Sequence, residues 1–286
     1  MSTVPRALTA SDLPGAEELL GQAGSENFTV ANRLLGTETC RHLMAIYGFA
    51  RLVDDVGDEA TGDRDALLDV VEEELATVFA GGSPSHPVMR ELAATVHARG
   101  LPEGPFRRLV EANRMDQTVT RYETWDQLMG YCALSATPVG ELVLHVFGAA
   151  TPERIMLSDR ICAGLQVVEH LQDIAEDHAR GRVYLPGEDR RRFAVDELSL
   201  ARADAPDGPL LALIGYEAGR ARRLIASGAP LARTLGLRPR IAVAGFVAGG
   251  RVALDGLPGA GRGAGARPRN RTRALAGALP RAVLGR

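Results

Sequence analysis

Two stretches of the sequence set carboxylates at helical spacing among apolar residues. The first is Tyr47-Gly-Phe-Ala-Arg51-Leu-Val-Asp54-Asp55-Val-Gly-Asp58-Glu59. Residues four apart share a helix face, so Asp54 and Asp58 point the same way. Arg51 and Tyr47 stand three and seven residues before Asp54, on that same side. The second is Gln166-Val-Val-Glu169-His170-Leu-Gln172-Asp173-Ile-Ala-Glu176-Asp177. Asp173 and Asp177 are again four apart, with Gln166 and Glu169 on their face. Like charges at this spacing repel by a few tenths of a kcal/mol even at a surface, and burial strengthens the repulsion. Acids four apart also occur on ordinary solvated helix faces. Two such pairs in largely apolar helices, each with an arginine nearby, point instead to a bound cation. All-oxygen ligands select hard ions, Mg²⁺ or Ca²⁺. Mg²⁺ commonly completes its shell with water and substrate phosphate, so two facing carboxylate helices could hold a metal-bridged diphosphate.

The elements that must position these residues are helices. Periodicity predicts helices over 11–22, 25–34, 37–56, 64–80, 86–98, 104–119, 124–149, 152–180, 193–201, 208–228 and 233–250, and no alternating strand pattern appears. Breaks fall at Gly81-Gly82-Ser83-Pro84, Gly100-Leu101-Pro102, Thr151-Pro152 and Ala205-Pro206-Asp207-Gly208-Pro209. Asp63 and Thr151 are expected N-caps. Gly181 is expected to end the second acidic helix, ahead of Arg182-Val-Tyr184-Leu-Pro186. The chain divides into a helical domain, 1–250, and a Gly/Arg-rich tail, 251–286, whose segment 256–268 is low-complexity.

Composition removes several kinds of chemistry. The 286 residues hold no lysine, so a Schiff-base or P-loop lysine is excluded. Cys40, Cys132 and Cys162 are widely spaced, which argues against a disulfide framework or structural zinc and for a reducing, cytoplasmic compartment. The N-terminus lacks a secretory pattern. The longest apolar run, Ile241 to Ala248, is far below the ~20 residues that span a bilayer. No HExxH or GxSxG occurs, and His170 reads as a packed histidine rather than a ligand. The GxGxGxG of the tail lacks the strand and βαβ unit of a dinucleotide site. Residues 251–286 carry eight arginines against Asp255, a net of +7, which leaves −10 on residues 1–250 of a chain with total charge −3. The tail could touch anionic lipid. The acidic body argues against nucleic acid.

At these residues the sequence resembles the squalene/phytoene synthase family, over roughly 20–200. The motifs are Arg51-Leu-Val-Asp54-Asp55-Val-Gly-Asp58, Tyr131-Cys-Ala-Leu-Ser-Ala-Thr-Pro-Val-Gly140, Gln172-Asp173-Ile-Ala-Glu-Asp177 and Gly181-Arg-Val-Tyr184-Leu-Pro. Within the family it is most similar to bacterial hydroxysqualene synthases of the hopanoid pathway, through Glu26-Asn27-Phe28-Thr29-Val30, Asp116-Gln117-Thr118-Val119-Thr120-Arg121-Tyr122 and Ser135-Ala-Thr-Pro138-Val-Gly140.

The resemblance implies an all-α isoprenoid synthase fold, one helical domain around a central cavity. It implies Mg²⁺ on Asp54, Asp58, Asp173 and Asp177. It makes Tyr131, Tyr47, Arg51 and Tyr184 catalytic candidates, with Tyr131 foremost for proton handling or cation stabilisation. Arg51, Asn27, Phe28, Gln166 and Arg182 become substrate contacts. Three positions depart from family members that join two farnesyl diphosphates: Glu26 lacks a nearby basic residue, Glu169 replaces asparagine, and Gln172 replaces arginine. Fewer basic contacts imply one diphosphate, as in presqualene diphosphate, whose cation water would quench to give hydroxysqualene. The lack of a nicotinamide motif and of the family's eukaryotic membrane anchor accords with water as nucleophile. The rivals are head-to-head condensation to presqualene diphosphate, squalene or phytoene, and a non-catalytic assembly relative. A water-insoluble product implies peripheral contact with the inner face of the membrane and hand-over to other hopanoid-pathway enzymes.

Overall fold

The computed structural model describes residues 8–15 and 35–259. After a 3₁₀ turn at Ala10–Asp12, twelve α-helices follow among these residues. They are α1 Thr37–Asp58, α2 Arg64–Phe79, α3 Pro87–Arg99, α4 Glu103–Thr118, α5 Trp125–Ser135, α6 Thr137–Val146, α7 Pro152–Gln172, α8 Ile174–Ala179, α9 Gly187–Arg192, α10 Glu197–Ala201, α11 Gly208–Gly228 and α12 Leu237–Asp255. The expected helix over 25–34 and most of that over 11–22 lie outside the described residues. Asp63 and Thr151 cap α2 and α7, accepting from the Ala66 and Arg154 amides at 3.0 and 3.3 Å.

Three expected helices are divided. The helix predicted over 124–149 breaks at Ala136, because Pro138 cannot donate within a continuous helix. The helix predicted over 152–180 breaks for one residue at Asp173, whose φ and ψ are −106° and 15°. The amide of Asp177 still bonds the Asp173 carbonyl at 2.8 Å. The break falls where Glu169, Asp173 and Asp177 would otherwise stack like charges on one face. The helix predicted over 193–201 is replaced by α9 and α10, separated by Ala194 at φ 54°. Helix α12 continues to Asp255, and Leu254 and Leu257 are buried.

Two apolar clusters hold the helices. In the first, Phe49 and Leu52 of α1 meet Leu68 of α2, Met89 of α3 and Phe106 of α4. Phe49 and Phe106 pack edge to face, 5.1 Å between centroids. The second joins α7 and α11 through Ile161, Leu165, Ala221 and Ile225, with Val243 and Phe246 of α12 over them. Among the described residues the only β-type pairing is an isolated bridge between Arg121 and Val183. The Val183 amide bonds the Thr120 carbonyl, and the Gly187 amide bonds that of Tyr122. This short seam anchors the segment that carries Arg182 and Tyr184.

A buried acid marks the second cluster. Glu217 of α11 is 1% exposed and lies beside Asp189 of α9, and Arg220 pairs with both. Burial first, then Asp189, pushes the Glu217 carboxyl up to about 8. The folded state therefore holds this proton where the unfolded chain has released it, and stability falls as pH rises from the ordinary glutamate range to about 8. Glu217→Gln keeps the shape without the titration. Its stability advantage over wild type is expected to grow by ~4 kcal/mol between roughly pH 5 and roughly pH 9. Denaturant melts at the two pH values measure this, and an unchanged gap contradicts it.

Candidate active site

The two acidic stretches line one cleft that opens to solvent. Nine carboxylates line it: Asp54, Asp55, Asp58 and Glu59 from α1 and the residue after it, Asp116 from α4, and Glu169, Asp173, Glu176 and Asp177 from α7, α8 and their junction. Three arginines line it as well, and each is engaged by an acid. Arg51 meets Asp55 at 2.5 Å and Glu59 at 3.6 Å. Arg182 meets Asp58 at 2.7 Å, and Arg180 meets Glu176 at 3.0 Å. The Arg182 contact ties the end of the first acidic stretch to the loop after the second.

Burial dominates the electrostatics of this wall. It pushes the Asp54 carboxyl up to about 7, opposed by the hydrogen bond from Asn113 and assisted by Asp58. Burial, then Asp173 and Glu169, pushes Asp177 up to about 8. Asp173 rises to about 6, again chiefly by burial. Crowded carboxylates held near neutral pH offer an all-oxygen donor set that a hard dication would relieve. Among the described residues no three acidic, histidine or cysteine side chains form a ready-made metal cage. Donors divided between two walls suit an ion completed by substrate oxygens, as Mg²⁺ prefers.

Close helix packing sets the first wall. A β-carbon on Gly57 would come within 2.2 Å of Asn113 Oδ1. The glycine lets α4 approach α1, so that Asn113 donates to Asp54 Oδ1 at 3.2 Å and Gln117 donates to the Gly57 carbonyl at 3.0 Å.

Behind the acids lies an aromatic group. The Tyr131 hydroxyl donates to Asp116 Oδ2 at 2.7 Å, and that of Tyr184 donates to Oδ1 at 3.3 Å. Burial pushes Asp116 up to about 6, and these two donors partly offset it. Burial holds both phenols well above their ordinary range, so they are neutral donors. His170 stacks on Tyr184, 3.8 Å between centroids, and burial pushes its pKa down to about 3. It is a neutral ring that lines the cleft, with Nδ1 3.9 Å from Asp177 Oδ2.

The cleft brings together Arg51, Asp54, Asp58, Gln166, Asp173, Asp177, Arg182, Tyr131 and Tyr184. Tyr47 is buried in α1 and is not among the described residues lining it. Gln172 is exposed and also off the wall, whereas Glu169 lines it. Asn27, Phe28 and Glu26 lie outside the described residues. Sequence reasoning gave no role to Asn113 or Asp116. Their signal was two polar residues three apart on the buried face of α4.

A small apolar pocket shares Ser135 with the cleft and is lined by Val139, Val143, Ile161, Leu165, Val243 and Phe246 among others. Ser135 lines both spaces. The site is thus charged at one end and hydrocarbon-like at the other.

Residues 22–274 match the family described as squalene/phytoene synthase. The chain belongs to that family. A hydroxysqualene synthase from Rhodopseudomonas palustris is 36% identical over 213 residues, 72% of this chain and 70% of that protein. One from Zymomonas mobilis is 38% identical over 57% of this chain and 55% of its own length. A phytoene synthase from Mycobacterium bovis is 30% identical over 71% of this chain and 68% of its own. A crystal structure of the squalene synthase HpnC from Alicyclobacillus acidocaldarius superposes with a TM-score of 0.76 at 38% identity, covering 86% of this chain and 95% of that one. The fold is that of the isoprenoid synthases, and the protein is a prenyl-diphosphate-processing enzyme.

Proposed function

We propose that this family member converts presqualene diphosphate to hydroxysqualene, releasing diphosphate, with Mg²⁺ held by Asp54, Asp58, Asp173 and Asp177. The observation that carries the reading is the sharing of Ser135 between acidic cleft and apolar pocket. It suits a diphosphate head on a long hydrocarbon. The hydroxysqualene synthases compared above stand at 36% and 38% identity and the phytoene synthase at 30%. The charge balance points the same way. Among the described residues, the three arginines on the wall each face a carboxylate, which favours one diphosphate over two.

Bound Mg²⁺ supplies charge neutralisation to the leaving diphosphate. Arg51 and Arg182 flank the aspartates and orient its oxygens by charge-assisted hydrogen bonds. Gln166 lines the same wall and contacts the substrate there. Asn27 and Phe28 keep their place as substrate contacts, and Tyr47 as a catalytic candidate. The Tyr131 and Tyr184 rings face the carbocation and stabilise it by roughly 0.5–2 kcal/mol each. Water adds to the cation, and its proton passes to the Asp116–Tyr131 pair. Turnover in oxygen-18 water tests this sequence. The alcohol is expected to carry the heavy oxygen. An unlabelled alcohol, with its oxygen retained from the diphosphate ester, would contradict it.

The reading includes peripheral contact with lipid at the inner face of the membrane, where hydroxysqualene would pass to the next enzyme. No helix among the described residues is long and apolar enough to cross a membrane. Leu237, Ile241 and Val252 of α12 are 72%, 44% and 63% exposed. They share one face, and Arg251 adjoins it. The full chain is expected to sediment with anionic vesicles, and its complete recovery in the supernatant would count against the contact.

A further inference from the structure

Ser135 lines both the acidic cleft and the apolar pocket beside it. Its Oγ is shielded from solvent and has no hydrogen-bond partner among the described residues. A buried hydroxyl without a partner is costly, and such groups usually meet an ordered water or a ligand. A hydroxyl near a helix end can bond back to the carbonyl four residues earlier. Thr137, two residues on, does this, donating to the Ala133 carbonyl at 3.1 Å. Ser135 does not. Its hydroxyl remains available one helical turn beyond Tyr131, on the same face of α5. The rest of the pocket is lined by apolar side chains apart from Ser158 and Cys162, which lie near each other. Tyr131 and Gln166 line the same cleft as Ser135, and a bound water needs such polar neighbours.

We infer that Ser135 holds the water that captures the carbocation, and so decides between alcohol and hydrocarbon. This rests on the proposed conversion of presqualene diphosphate. After diphosphate leaves, the water oxygen forms the new carbon–oxygen bond. The water's proton is released to Asp116 through the Tyr131 hydroxyl, which gives its own proton to Asp116 as it receives one. Without a fixed water, the cation loses a proton from carbon and yields a polyene.

The test uses full-length protein with Mg²⁺ and presqualene diphosphate, following diphosphate release and product composition together. For Ser135→Ala, diphosphate release is expected to stay within about threefold of wild type, while the ratio of alcohol to hydrocarbon falls about tenfold. Ser135→Thr keeps a hydroxyl and is expected to restore the alcohol. A Ser135→Ala variant that makes alcohol in the wild-type proportion overturns the inference. So does a parallel fall of diphosphate release and alcohol that Ser135→Thr fails to rescue, which marks a structural role. Wild-type protein that releases diphosphate but forms no alcohol overturns the proposed function as well, and is distinguished because it appears before any variant is made.

Discussion

Asp54→Asn is expected to lower kcat/KM by at least about a hundredfold to a thousandfold while raising the melting temperature of the metal-free protein. Both effects follow from one arrangement. Asp54 is held in a desolvated wall with Asp58 on its own helix face and Glu169 opposite. Its carboxylate contributes little to stability there and repels its neighbours. Asparagine keeps the shape and retains a partner for Asn113. The folded protein without metal therefore gains, by roughly 1 kcal/mol. Turnover is lost because an amide cannot replace an anionic ligand. Ligand linkage supplies a second readout. Wild-type protein is stabilised by Mg²⁺ with diphosphate, and the variant should gain far less. Steady-state kinetics, with thermal melts in chelator and in Mg²⁺ plus diphosphate, measure both effects. A variant retaining turnover within about tenfold of wild type would remove Asp54 from the metal site.

Asp116→Asn is expected to lower kcat about a hundredfold with little change in KM. Asp116 accepts from both Tyr131 and Tyr184, and it lies behind the aspartate pairs rather than among them. Its charge orients two phenols that burial keeps neutral. Asparagine preserves the volume and removes the anion that receives the released proton. Tyr131→Phe should act in the same direction. Because the two groups form one unit, the double variant should be scarcely worse than the single ones. The pH profile adds a signed test. Burial pushes Asp116 up to about 6, and a base works only when deprotonated. The wild-type rate should therefore fall as pH drops through about 6, and Asp116→Asn should lose that limb. Additive losses, or an unchanged acid limb, would show that the pair does not act as the proton acceptor.

Much of this site was legible in the sequence because helical spacing is short-range information. The four aspartates of the two acidic stretches, together with Arg51, could be set on shared faces by counting residues, and they line one cleft. Helices bounded by Pro, Gly or a capping side chain, such as α2 between Asp63 and Ala80, were equally readable. What was hidden depends on contacts distant in sequence. Asn113 reaches Asp54 only because Gly57 lets α4 approach α1. Arg182 meets Asp58 across 124 residues of chain. Periodicity also could not show one-residue departures such as Asp173, where the hydrogen bond to Asp177 continues while the backbone turns aside. The role of Ser135 was likewise invisible, since it depends on two cavities meeting beside it.

The central claim is that the cleft and pocket process one presqualene diphosphate to an alcohol. The most direct measurement incubates purified full-length protein and Mg²⁺ with presqualene diphosphate, and separately with farnesyl diphosphate, both without nicotinamide, and identifies the products by mass spectrometry. The account predicts hydroxysqualene from presqualene diphosphate and no product from farnesyl diphosphate. Presqualene diphosphate or a coupled hydrocarbon from farnesyl diphosphate would contradict it and make the enzyme a head-to-head condensing synthase.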